Sequence, residues 1–115
     1  MAKYERWLEG DFTELLNWIH RDISNASATV SYEDGSDISI GDIEVAVRVY
    51  ERYSMAGGNR VSLNVTLVGR GRELFVSAIT SGGSQAVFWK INTIGEETFL
   101  DLCRDSVENY ISNYQ

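Results

Sequence analysis

The sequence predicts an α+β protein: a single antiparallel β-meander of four to five strands, with an N-terminal and a C-terminal helix packed on one face. Three observations predict it. Within residues 43–91, Ile43, Val45, Val47 and Val49, then Val61, Leu63, Val65 and Leu67, occupy every second position, the period of a strand with one buried face. The breaks between the apolar runs are short and rich in glycine, which favours antiparallel pairing of sequence neighbours. On either side of the meander, apolar residues fall at helical spacing instead.

In chain order, Trp7 and Leu8 read as an ordered arm, since two large apolar side chains are costly to leave in water. Asp11-Phe12-Thr13-Glu14 has the form of a capping box, with Asp11 accepting from first-turn amides and Glu14 reaching back to the Asp11 amide. Phe12, Leu15, Leu16, Ile19 and Ile23 then form one stripe of a helix over residues 12–25. Ala28, Val30 and Tyr32 alternate as a short strand, and Asp34-Gly35 suits a tight turn. Ile38 and Ile40 share one phase but Ile43 to Val49 the other, which places a bulge or corner at Gly41-Asp42. Further turns are expected at residues 56–59 and 69–71. Strands over 73–80 and 85–91 are apolar on both phases, which implies some cover on the far face of the sheet. Thr93 to Glu96 reads as a second capping box. Behind it Phe99, Cys103, Val107, Tyr110, Ile111 and Tyr114 line a helix of about 20 residues. The predicted core takes Phe12, Leu16, Ile19, Val45, Val47, Val49, Leu63, Val65, Leu67, Phe99, Cys103 and Val107.

A chain of 115 residues suits one domain over residues 1–115 and can bury a sizeable core without disulfides or metals. No run approaches the ~18 apolar residues of a membrane span, and the first residues lack the apolar core of a signal peptide. One cysteine excludes an internal disulfide and fits the cytoplasm. The net charge of −7 is unevenly spread: residues 46–90 hold Arg48, Arg52, Arg60, Arg70, Arg72 and Lys90 against Glu51 and Glu73 alone. A basic sheet between acidic flanks is first of all charge balance within one fold. The acidic total argues against nucleic acid, whose binding draws on phosphate neutralisation.

No motif carries a reaction. His20 has no second histidine or cysteine at metal spacing, so it reads as a solvated or core-edge residue. Cys103 sits on an apolar stripe, where cysteine behaves as a small hydrophobe, and has no identifiable activating base. Glu33, Asp34, Asp37, Asp42 and Glu44 crowd one segment, but their spacing misses the calcium-loop pattern. Residues 80–84 could form an anion nest, yet lack the lysine and helix of a phosphate loop. Neither metal nor cofactor is expected, and enzyme is the least favoured class.

The runs Arg48-Val49-Tyr50-Glu51-Arg52-Tyr53-Ser54, Gly57-Gly58-Asn59-Arg60-Val61-Ser62-Leu63 and Ala78-Ile79-Thr80-Ser81-Gly82-Gly83-Ser84-Gln85-Ala86-Val87-Phe88, with Asn92-Thr93 and Gly95-Glu96-Glu97, resemble an uncharacterised family of small bacterial proteins known only as a domain of unknown function. The resemblance spans nearly the whole chain. It implies a bacterial cytosolic protein and supplies no catalytic residues. In architecture alone the helix–meander–helix order is similar to helix-grip domains, which hold apolar ligands between a curved sheet and a long C-terminal helix; that is fold analogy.

With Val45, Val47, Leu63 and Val65 turned inward, the opposite face would carry Arg48, Tyr50, Arg52 and Asn64, joined by Phe75 and Phe88. Tyrosine and arginine are enriched where interfaces concentrate their energy. The expected function is a non-enzymatic interaction module that self-associates or binds a protein partner through that open face. The alternative is a small apolar or anionic ligand held in helix-grip fashion. Nucleic acid and membrane are not expected partners.

Overall fold

A computed structural model describes residues 1–54, 59–82 and 89–114. The chain opens in a strand, β1 (Ala2–Glu9), and passes through Gly10 into helix α1 (Phe12–Ser24). Four strands follow: β2 (Val30–Ile40), β3 (Ile43–Ser54), β4 (Asn59–Arg70) and β5 (Glu73–Gly82). Helix α2 (Trp89–Tyr114) ends the fold. The sheet is antiparallel throughout, in the order β1-β5-β4-β3-β2. The meander is β2 to β5, and β1 closes its far edge.

The arm expected at Trp7-Leu8 is therefore an edge strand, paired with β5 from Ala2↔Thr80 to Glu9↔Glu73. Its charges disguise it in the sequence, yet an edge strand carries Lys3, Glu5 and Arg6 at little cost and is blunted by them. The turn expected at Asp34-Gly35 is absent: β2 runs straight through, with a register shift between Tyr32 and Asp34 that leaves Glu33 as the extra residue. The corner at Gly41-Asp42 is a two-residue hairpin turn, as is Gly71-Arg72. Gly41 (φ 60°) and Gly71 (φ 59°) take the first turn position, where positive φ is cheap only for glycine. Of the strand expected over 85–91, Trp89 to Ile91 belong to α2 and the rest lies outside the described residues, as does most of the 56–59 turn. Thr93 to Glu96 fall inside α2 rather than at its start.

Asp11 caps α1, its Oδ2 accepting from the Glu14 amide at 2.9 Å. The second half of the expected box is replaced by Tyr110. Its hydroxyl accepts from the Asp11 amide at 3.1 Å and donates to Glu14 Oε1 at 3.0 Å. Gly10 makes room for it, since a Cβ there would stand 2.6 Å from the Tyr110 hydroxyl.

One buried cluster joins Leu15, Ile19 and Ile23 of α1 and Phe99, Cys103, Val107 and Tyr110 of α2 to the sheet residues Leu63, Val65, Leu67, Leu74, Val76 and Ala78. The face bearing these sheet residues is the core face; Phe12 and Leu16 are half-buried against the cluster. The expectation for β3 is corrected here. Leu67 pairs with Ala46, Leu63 with Tyr50, and Val45, Val47 and Val49 pair with Val68, Thr66 and Asn64. Cross-strand partners share a face, so Ala46 and Tyr50 enter the core, both fully buried. The three valines lie on the other, outer face. Alternation identifies a strand but not which of its two apolar phases points inward. Among the described residues, no helix is long and apolar enough to cross a membrane.

Candidate interaction surface

The outer face has one feature that runs across the whole sheet. Trp7, Phe75, Val68, Val45 and Ile38 are successive cross-strand partners on β1, β5, β4, β3 and β2. Outward of them the next row runs Glu9, Glu73, Arg70, Ile43 and Ile40. Trp7 is 69% exposed, Ile40 66% and Ile38 55%. The Trp7 and Phe75 rings lie 4.8 Å apart and tilted by 47°, a favourable aromatic geometry. Together with Ile43, Val68, Arg70 and Glu73 they line a shallow depression of about 230 Å³, below the ~300 Å³ at which small-molecule pockets begin. Its rim pair, Arg70 Nη2 and Glu73 Oε1, is 3.2 Å apart and well exposed, so it contributes little to stability.

Of the residues that the sequence places on this surface, Asn64 and Phe75 are there. Tyr50, Arg48 and Arg52 are not. They share the core-face phase of β3, opposite Leu63, Val65 and Val61. Arg48 sits at the covered margin, 17% exposed, with a two-point contact to Asp37 at 2.9 and 3.3 Å and a further bond to the Val47 carbonyl. Arg60 is paired with Glu51 at 2.7 Å. Arg48, Arg60 and Arg70 thus pair with acids of their own chain. Phe88 lies outside the described residues. Trp7, Val68, Ile38 and Ile40 were not anticipated for this face. Their one signal is the apolar phase of Ile38 and Ile40 on either side of Ser39.

A second cluster lies where α1 meets β2 and β3. The Tyr50 hydroxyl is 2.8 Å from His20 Nδ1, and the Tyr32 ring stacks edge-on to His20 at 5.2 Å and lies 5.7 Å from Tyr50. Burial holds the Tyr50 hydroxyl well above the usual phenol range, so it stays protonated and ties α1 to the sheet. The Cys103 thiol, fully buried, is pushed up to about 12, which leaves no thiolate to act as a nucleophile at neutral pH. The α1–α2 contact is polar as well as apolar. Trp18 Nε1 donates to the Ser106 carbonyl at 2.9 Å, and the Ser106 hydroxyl to Asp22 at 2.7 Å. Among the described residues, no group of three His, Cys, Asp or Glu side chains is placed to hold a metal.

A family model described as "Family of unknown function (DUF6054)" matches residues 1–111. No curated protein and no solved structure matches the chain.

Proposed function

The chain belongs to the family of unknown function DUF6054, and we propose that it is a non-enzymatic interaction module that self-associates through the outer face of its sheet. In this reading both helices cover the core face and leave the outer face for a partner. The supporting observation is the apolar row from Trp7 to Ile38, which spans five strands with its two ends more than half exposed. Contiguous exposed apolar surface on this scale marks contact sites. Burying Trp7 alone would contribute on the order of 3 kcal/mol.

The edges of the sheet fit association by the face rather than by strand addition. β2 is bulged at Glu33 and carries Asp34 and Asp37, and β1 carries Lys3, Glu5 and Arg6; both devices discourage edge-to-edge pairing. A single cysteine, buried, is in keeping with a cytoplasmic protein.

The test is sedimentation over a concentration series at low and high salt. The wild type should form a dimer that Trp7→Glu weakens at least tenfold. Asn17→Glu, an exposed site on α1 rather than on the sheet, should leave it intact. A monomer at every concentration, or equal loss in both variants, would sink this reading.

A further inference from the structure

We propose that the partner is a second copy, docked face to face about a two-fold axis that runs along β4. This rests on the reading that the outer face is an interface, and adds the geometry. In the order β1-β5-β4-β3-β2, β4 is the central strand. A two-fold along it lays β1 over the partner copy's β2 and β5 over its β3, while β4 meets β4. Rows keep their level, so each row meets itself reversed.

The apolar row is graded in size for such a meeting. Its large members, Trp7 and Phe75, lie on one side of Val68; the smaller Val45 and Ile38 lie on the other. Reversed on itself, it sets Trp7 over the second copy's Ile38 and Phe75 over its Val45, large against small, the interdigitation that closely packed sheets require. A two-fold running across the strands would instead stack Trp7 on Trp7 at one edge and Ile38 on Ile38 at the other, with Val45 on Val45 beside it, large on large and small on small.

At the Glu9 row this axis sets Arg70 over the second copy's Arg70, each offset by its own Glu73 at 3.2 Å; at the other end of the face charge favours the same axis. Two levels beyond the apolar row, the sheet carries Lys3, Ile79, Asn64, Val49 and Asp34 in order. The strand-parallel axis sets each Lys3 over the other copy's Asp34, twice per dimer, and Ile79 over Val49. The transverse axis does not bring Lys3 to Asp34, which stay on opposite edges. Complementary charges at the rim set register and partner choice.

The area is sufficient. The four rows from Glu9 to Lys3, at about 6.8 Å per row and about 4.8 Å per strand, cover about 650 Å². Two such faces bury about 1,300 Å², above the ~1,000 Å² expected of a specific interface.

Thiol crosslinking decides the axis. Glu5 and Ser36 occupy the two ends of the row between the apolar one and the Lys3 row. They stand about 19 Å apart within one sheet, beyond the span of a short bismaleimide. The strand-parallel axis brings Glu5 over the second copy's Ser36 across the ~10 Å between packed sheets, too far for a direct disulfide but within the span of that reagent. The Glu5→Cys/Ser36→Cys variant treated with it should therefore give a covalent dimer on a denaturing gel. Either single variant should remain uncrosslinked, as should the wild type with its buried Cys103. Lys3→Glu should raise the dimer Kd about fivefold at low salt, and Lys3→Glu/Asp34→Lys should restore it. Crosslinking by Glu5→Cys alone in a protein that still sediments as a dimer overturns the axis and leaves the interface reading standing. So does a dimer whose double cysteine variant never links. A monomer at every concentration overturns both.

Discussion

Two neighbouring residues of β3 give the sharpest test of how the sheet is turned. In one variant Ala46 becomes Asp; in the other Val47 becomes Asp. Ala46 has no solvent exposure and lies between Leu67 and Asp37 on the core face. A carboxyl group there loses its hydration, and the nearby Arg48 is already engaged by Asp37, so it is held neutral. Keeping an aspartate neutral at pH 7, about 3 units above its ordinary pKa, costs about 4 kcal/mol. A chain of this size has roughly 5–15 kcal/mol of stability in all, so Ala46→Asp should lower Tm by about 20 °C or abolish folding. Val47 lies on the outer face between Thr66 and Ser36. A carboxylate there reaches water, and the loss is part of one valine's burial plus strand preference, about 1 kcal/mol and about 5 °C. Urea and thermal melts followed by far-UV circular dichroism should be run at low micromolar protein, where association adds nothing. If Val47→Asp costs as much as Ala46→Asp, the valines of β3 are in the interior and the outer face described above does not exist.

Three further outcomes follow from the same packing. Tyr50→Phe should cost about 1 kcal/mol in urea melts, and His20→Ala should then add less than it does alone; strict additivity would show that the 2.8 Å contact carries no energy. Burial raises the Tyr50 hydroxyl and pushes the Cys103 thiol up to about 12. The folded state thus keeps protons that the unfolded chain releases above about pH 9. Stability is whole below that pH and lost as pH rises toward 12, so the urea midpoint should fall between pH 8.5 and 11, less steeply in Cys103→Ala; an equal slope in both refutes the assignment. Gly41→Ala, at φ 60°, should cost about 1–2 kcal/mol, with Gly41→Asn milder; a neutral Gly41→Ala would mean the turn adopts another form.

Much of the fold was legible. The α1 stripe, the Asp11 cap, the β4 alternation and the Phe99–Cys103–Val107 face were all readable because each has a single apolar phase, and one phase leaves one way to bury it. The β1 strand was not legible, because Lys3, Glu5, Arg6 and Glu9 mask its period and its partner β5 lies some 70 residues away. The extent of α2 was obscured by aromatic and β-branched residues at 87–91, whose propensity favours strand; Trp89 to Ile91 are helical all the same. Half of the Glu14 capping box is illegible for a different reason: the partner of Glu14, Tyr110, lies on α2, and local sequence says nothing of it.

The candidate surface turned on β3, the strand with two usable phases. Ile43, Val45, Val47 and Val49 make the more hydrophobic phase, and counting methyl groups sends them inward. Space decides otherwise. Under α1 the sheet must meet His20 and fill the gap beside Leu63, and Tyr50 does both with one ring and one hydroxyl. Ala46 leaves room beside Leu67. Once Tyr50 is inside, the pleat sends all four β-branched residues out, where Val45 lines up with Val68, Phe75 and Trp7. A sheet apolar on both phases needs cover on both faces. The sequence indicated that need without saying which residues met it. The buried cluster takes up one phase, and under the proposed self-association the reversed row of a second copy would cover the other.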